Sequence, residues 1–327
     1  MITCNQTITT FAAFNPDARE QRYQGLYPNA HCVLLFGLTA ILGKYIVFEE
    51  LALVWHRMWI AALGLWVMPK AFKAVRNIPR KRILTFIGIG IIVSLHWVAF
   101  FGSIKLGNVS VALACMGTAT LFISLLEPLI TKSKLQPVEI IIGAFVILGI
   151  ILVLQVGSAF YGSIIAGITA AFLAALFSTL NKKHLQDYNS LSVSAIELSA
   201  GFIFLSLVIP ALEGGLNFED YSLLRTDLYS EYTFLGVNIH SFWYLLLLGI
   251  LCTSVAYALA LNSLKHLSAF SSGLAVNLEP IYGILMAIVL FEENKELNLA
   301  FYIGTVIILL SVFVHPLIVR KQRKKKK

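Results

Sequence analysis

The sequence predicts an all-α membrane protein of ten transmembrane helices, arranged as two inverted five-helix repeats. Apolar composition, the placement of basic residues and a pairing of short motifs between the two halves predict it. Hydrophobic residues make up 58% of the 327 positions and charged residues 13%, against roughly 25% charged in a soluble domain. The mean hydropathy is +0.81. A bilayer span takes roughly 20 mainly apolar residues. Stretches of that size fall at 29–48, 51–69, 83–104, 109–131, 137–156, 162–180, 190–212, 241–262, 268–291 and 298–319. The fourth and ninth are rich in small and polar residues, as suits helices that pack closely or line a cavity.

A net charge of +8 invites a nucleic-acid partner, but the charges follow membrane topology instead. With the N-terminus in the cytoplasm, the inner side receives Arg19, Arg22, Lys70, Lys73, Arg76, Arg80, Lys81 and Arg82. It also receives Lys132, Lys134, Lys182, Lys183, Lys265 and the run from Arg320 to Lys327. The opposite side receives Glu49, Glu50, Glu213, Glu219, Asp220, Asp227, Glu231, Glu292, Glu293 and Glu296. Both termini are therefore expected in the cytoplasm of a multi-pass plasma (inner) membrane protein, and the partners are the lipid bilayer and a small-molecule substrate, with no nucleic acid. A homodimer is left open. The basic tail at 320–327 suits anionic headgroups. Residues 1–28 lack the charged start, apolar centre and cleavage site of a signal peptide and read as a cytosolic tail. Cys4, Cys32, Cys115 and Cys252 have no spacing that indicates a disulfide framework or a metal site.

The two halves carry matching motifs. Gly37-Leu38-Thr39-Ala40 in span one returns as Gly167-Ile168-Thr169-Ala170 in span six, and Ser103-Ile104-Lys105 closing span three returns as Ser263-Leu264-Lys265 closing span eight. Gly143 and Gly304 each open an aliphatic run in spans five and ten. All three matches fall in one register, pairing spans one to five (29–156) with six to ten (162–319). Because each half crosses an odd number of times, the second must enter from the opposite side. Halves related in this way can exchange conformations about a midplane site, the geometry of alternating access.

Leu278-Glu279-Pro280 in span nine, then Glu292 and Glu293, then Gly304 in span ten give the second repeat a proline, glutamate and glycine spacing. In this the chain resembles the drug/metabolite transporter superfamily, specifically its ten-helix members with two EamA domains, over residues 30 to 319. The first repeat departs from the pattern: Thr120 stands at the usual proline, Ser133 at the frequent glutamate, and Leu126-Glu127-Pro128 is displaced towards the inner end. The resemblance implies a secondary carrier, often an exporter of amino acids, related metabolites or toxic compounds.

Ionisable residues at membrane depth are costly and mark candidate pathways. Glu279 falls near the middle of span nine, with Asn277 before it and Pro280 after it. It is read either as a proton or ammonium binding group, which would couple transport to a proton gradient, or as an interhelical hydrogen-bonding residue. Arg57, with His56 beside it, and Glu197 stand at matched positions in spans two and seven. Each belongs to one of two gates flanking the site, or Arg57 snorkels towards Glu49 and Glu50. His96 and Trp97 in span three and Tyr257 in span eight fall near the midplane, where aromatic rings can line a cavity or pack between helices. Glu127 and the lysines at span ends read as structural. Thr120 completes the set of pathway candidates. No catalytic residue, metal ligand or cofactor motif is recognised: Walker, zinc-helix and nucleophile-elbow patterns are all absent. An integral-membrane enzyme and a non-transporting scaffold are the competing classes, and segment 213–240 is a candidate surface helix or lid.

Overall fold

The computed structural model describes residues 16–132, 137–153, 155, 157–212, 221–223, 226–229, 231–234 and 237–325. Ser133, Lys134, Cys4 and the acids Glu213, Glu219 and Asp220 lie outside the described residues. Each apolar stretch is helical. In chain order the helices are α1 (Pro16–Tyr45), α2 (Glu50–Trp66), α3 (Pro69–Val75), α4 (Arg80–Leu106), α5 (Val109–Met116), α6 (Ala119–Thr131) and α7 (Pro137–Val153). They continue with α8 (Tyr161–His184), α9 (Ser190–Leu212), α10 (Ser241–Gly249), α11 (Ala256–His266), α12 (Ala269–Val276), α13 (Leu278–Phe291) and α14 (Leu299–Lys325). Six helical segments among the described residues are long and apolar enough to cross a bilayer, and a seventh arises if α2 and α3, bent by 87°, count as one span. The apolar helices Leu278–Phe291 and Leu299–Ser311 are shorter.

A β hairpin between α9 and α10 is the exception to the helical architecture. Its strands β1 (Glu231–Phe234) and β2 (Val237–His240) pair antiparallel, with Glu231 opposite His240 and Phe234 opposite Val237. The β-branched and aromatic residues Tyr232, Thr233, Phe234, Val237 and Ile239 suit strands. Residues 231–234 and 237–240 of segment 213–240 thus form a hairpin rather than a surface helix, one of the two expectations for the segment, the other being a lid.

The breaks in the helices have local causes. Pro69 sits at the first position of α3, where its missing N–H costs nothing. Asn108 caps α5 by accepting from Val111 N at 2.9 Å, and the Thr118 hydroxyl donates to the Cys115 carbonyl at 2.7 Å where α5 ends. α13 restarts at Leu278, which puts Pro280 in its first turn. Between α10 and α11 the chain widens into a π turn, Ile250–Val255. There the Thr253 and Ser254 hydroxyls donate to carbonyls five residues back, Leu248 at 2.6 Å and Gly249 at 3.1 Å.

The packing repeats itself between the halves. α4 packs on α8 as α11 packs on α1; α5 and α6 lie on α8 as α12 and α13 lie on α1. Two further pairings join equivalent helices, α2 with α9 and α7 with α14, a third joins α6 to α12 of the two equivalent broken spans, and all three run antiparallel. Between α2 and α9, Trp55 Nε1 donates to Ser206 Oγ at 2.9 Å and Trp66 Nε1 to Ser199 Oγ at 2.8 Å. Between α6 and α12, Phe270 N donates to Glu127 Oε2 at 3.1 Å and Asn277 Nδ2 to Thr120 Oγ1 at 2.5 Å. Between α7 and α14, Gly149 and Gly304 bring the backbones together, and Asn298 Nδ2 reaches the Gln155 carbonyl at 2.7 Å. Antiparallel pairing of this kind is what an inverted repeat predicts.

The repeated motifs do the same work in both halves. Lys105 Nζ donates to the Ile46 carbonyl past the end of α1 at 3.1 Å, and Lys265 Nζ to the Tyr188 carbonyl past the end of α8 at 3.0 Å. Ser103 Oγ donates to the Ser163 carbonyl at 2.7 Å, and Ser263 Oγ reaches Asn29 Oδ1 at 3.5 Å. Gly37 packs under the ring of Tyr282 in α13, and Gly167 against Cys115 in α5, so both glycines allow close helix approach. Lys132 and Glu292, which end α6 and α13, are the non-glycine residues with left-handed backbone, φ 59° and 54°, among the described residues.

Candidate functional site

A cavity of about 120 Å³ lies where α1, α2, α4, α6, α8, α11 and α12–α13 converge. The broken helices create it: the interruption between α12 and α13 presents Asn277 and Glu279, and the matching interruption between α5 and α6 presents Met116 and Ala119.

Arg57 enters from α2 and is 1% exposed. Its Nε donates to Thr253 Oγ1 at 3.0 Å, and its guanidinium carbon stands 3.9 Å from the centroid of the Trp97 ring and 5.3 Å from that of Phe101. The π turn makes this possible: the Thr253 hydroxyl donates backwards to Leu248 and offers a lone pair to Arg57. Nη1 of Arg57 has no partner among the described residues. A buried donor left open in this way is costly unless an acceptor reaches it.

Glu279 faces the same cavity from α13 and is 7% exposed. No ion pair within 4 Å joins it to Arg57 among the described residues. An acidic and a basic side chain thus border one small volume without pairing by contact. Asn277, in the break, is held by Thr120.

The remaining wall is aromatic. Tyr257 meets Trp97 edge-on, with centroids 6.0 Å apart, and lies 6.3 Å from Phe177. His96 Nδ1 donates to the Ala170 carbonyl at 2.8 Å, leaving Nε2 as its acceptor nitrogen. Its ring stacks on Phe100.

Of the residues singled out from the sequence, Glu279, Asn277, Trp97, Tyr257, His96 and Arg57 line the cavity. Thr120 stands behind Asn277, and Glu197 behind Tyr257, whose hydroxyl donates to Glu197 Oε2 at 2.5 Å. His56 and Pro280 are buried but do not line the cavity. The His56 ring stacks on Phe48, accepts from Trp59 Nε1 at 3.1 Å and donates from Nε2 to the Tyr221 carbonyl at 3.0 Å. Arg57 turns inward to Thr253 and Trp97 rather than to Glu49 and Glu50.

Phe36, Thr39, Phe177, Ser178 and Ser272 also line the cavity and were not singled out. Thr39 carried a signal, since it belongs to the repeated Gly-x-Thr-Ala motif. Phe36 and Phe177 sit among apolar neighbours that do not set them apart, and Ser178 and Ser272 are among several small polar residues of their helices.

Carboxylates tie the broken spans to each other at their ends. Glu293 accepts from the backbone N–H of Val109 at 3.0 Å and of Ser110 at 2.8 Å, at the start of α5. Beside it, Asn108 Nδ2 donates to Glu296 at 3.0 Å. At the other end, Glu127 accepts from Phe270 N at the start of α12.

With this geometry in hand, comparison with known proteins settles the lineage. The sequence matches the EamA-like transporter family over residues 30–155 and again over 162–315. The chain belongs to the EamA-like transporter family. The two matched segments coincide with the halves that the packing exchanges. A solved structure titled "Crystal structure of protein" is similar to it with a TM-score of 0.60 and 15% identity, covering 91% of this chain and 98% of that one. That likeness concerns the fold. No curated protein gives a significant sequence match.

Proposed function

We propose that this EamA-like protein is a secondary-active carrier of small metabolites, an exporter of amino acids or related compounds working by alternating access. The observation that carries the reading is that the Glu279 carboxylate and the Arg57 guanidinium border one aromatic-walled cavity while remaining unpaired with each other. A zwitterion fits such a site: its ammonium is drawn to Glu279, its carboxylate to the open Nη1 of Arg57, and its side chain to Trp97, Phe177 and Tyr257.

In this reading the chain spans a plasma (inner) membrane ten times. Its repeats are 29–156 and 162–319, and both termini are cytoplasmic. The antiparallel pairings of α2 with α9, α6 with α12 and α7 with α14 support an inverted repeat. The cavity is bordered by Ser178 near the end of α8 and by Ala269 and Ser272 at the start of α12, segments on the cytoplasmic side in this orientation. The Glu293 contact with the start of α5 falls on the outer side in this orientation and supports reading the conformation as inward-facing.

The test is counterflow in proteoliposomes, with a labelled amino-acid pool outside and unlabelled amino acids inside. A carrier gives transient accumulation of label. Equilibration without overshoot, or no uptake at all, would overturn the reading.

A further inference from the structure

We propose that Glu197 is a proton-carrying site distinct from the substrate cavity and joined to it by the Tyr257 hydroxyl. The inference rests on the carrier reading and adds its coupling ion.

Glu197 is 0% exposed, and no cationic side chain lies within 4 Å of it among the described residues. Its Oε2 accepts from Tyr257 at 2.5 Å and from Asn181 Nδ2 at 3.3 Å. Its Oε1 has no partner, and neither has Asn181 Oδ1. The cluster therefore holds more acceptors than donors. One proton on Glu197 supplies the missing donor and removes a charge from a place where an ion is expensive.

Among the described residues the surroundings offer no counterion. There α11 presents Tyr257, the titratable group in contact with the carboxylate, and α8 presents the neutral Asn181. α4 presents Gly90, whose backbone packs against that of Glu197, and α2 presents Met58 against Gly201 and Trp66 to Ser199. α3 presents the Ala71 carbonyl, which accepts from Ser192. Arg57 bonds Thr253 through Nε and rests on Trp97, with no ion pair to Glu197 among the described residues, and His96 bonds Ala170.

The link to the cavity is direct. The Tyr257 ring forms part of the cavity wall, and its edge meets Trp97, on which Arg57 rests. Gain or loss of the Glu197 proton changes the acceptor that holds Tyr257, and with it the wall that the substrate touches. Substrate and proton occupy separate sites that share this one residue.

The experiment compares the reconstituted full chain with Glu197→Gln, using the same labelled amino-acid pool, in counterflow without a pH gradient and in uptake driven by an imposed gradient. Glutamine keeps an acceptor for Tyr257 and cannot exchange a proton. The expected result is counterflow within twofold of the wild type and gradient-driven accumulation lowered at least tenfold. Accumulation that survives in Glu197→Gln, or counterflow lost together with it, overturns the proposal, as does a wild type indifferent to the gradient. A wild type without counterflow removes the carrier reading itself, an outcome separate from these. Should Glu197→Gln not fold, Glu197→Asp serves: its pH profile of accumulation moves by at least half a unit, and an unmoved profile overturns the proposal.

Discussion

The guanidinium carbon of Arg57 sits over the Trp97 ring, 3.9 Å from its centroid, with Nε tied to Thr253 and Nη1 open. The indole face and the threonine hydroxyl fix the group without neutralising it. A cation held in this way in an apolar interior can attract an anion strongly, because little water competes.

Arg57→Lys should therefore raise the half-saturating substrate concentration roughly tenfold or more, since an ammonium cannot stack on indole and bond Thr253 together. Concentration dependence of counterflow measures this. A lysine variant with unchanged half-saturation would show that the planar group is not used.

Thr253 should act through Arg57. Thr253→Val keeps the shape but removes the acceptor for Nε, a loss of about 1–3 kcal/mol where a buried donor is orphaned. Half-saturation should rise with little change in maximal rate, and Thr253→Ser should restore it. Equal loss in both variants would argue that the methyl group, rather than the hydroxyl, is what matters.

Packing between α4 and α9 leaves no room at Gly90, where an added Cβ would meet the Glu197 carbonyl. Gly90→Ala should destabilise the protein by about 1–3 kcal/mol, the range for overpacking. The readout is the midpoint of thermal unfolding in detergent. Gly88, with open space around it, is the control, and Gly88→Ala should leave the midpoint unchanged.

Glu293 holds two N–H groups at the first turn of α5. Glu293→Ala should release them, at about 1–3 kcal/mol, and shift the population towards the opposite-facing state. In an otherwise cysteine-free background, Ser110→Cys should be alkylated faster from outside once Glu293 is alanine. An unchanged rate would mean that this end stays shut by packing alone.

Much of the architecture was legible in the sequence because the bilayer forces a simple signal. Long apolar runs must be helical, and Ser103–Lys105 and Ser263–Lys265 repeat since each caps a neighbouring helix at the same place in its half. Glu279, Arg57, Trp97 and Tyr257 stood out by depth alone. The facing of less polar residues was not legible. A span that touches lipid on one side and protein on the other is apolar on both, so no periodicity separates Phe177 or Phe36 from a lipid-facing phenylalanine. His56 stood out for its place beside Arg57, but its ring is occupied by Phe48, Trp59 and Tyr221, contacts that only the tertiary fold creates. The π turn at Ile250–Val255 was equally hidden, as nothing local distinguishes it from an ordinary helix.

The glycine contact between α7 and α14 joins helices that the twofold axis of an inverted repeat maps onto each other. When the halves trade conformations, such a pair is returned to itself. Contacts at its two ends change places, while a contact close to the axis stays where it was. In the proposed alternating-access cycle, Gly149 and Gly304 would thus mark a bearing on which the halves rock: the surface that has to remain closed for any other to open.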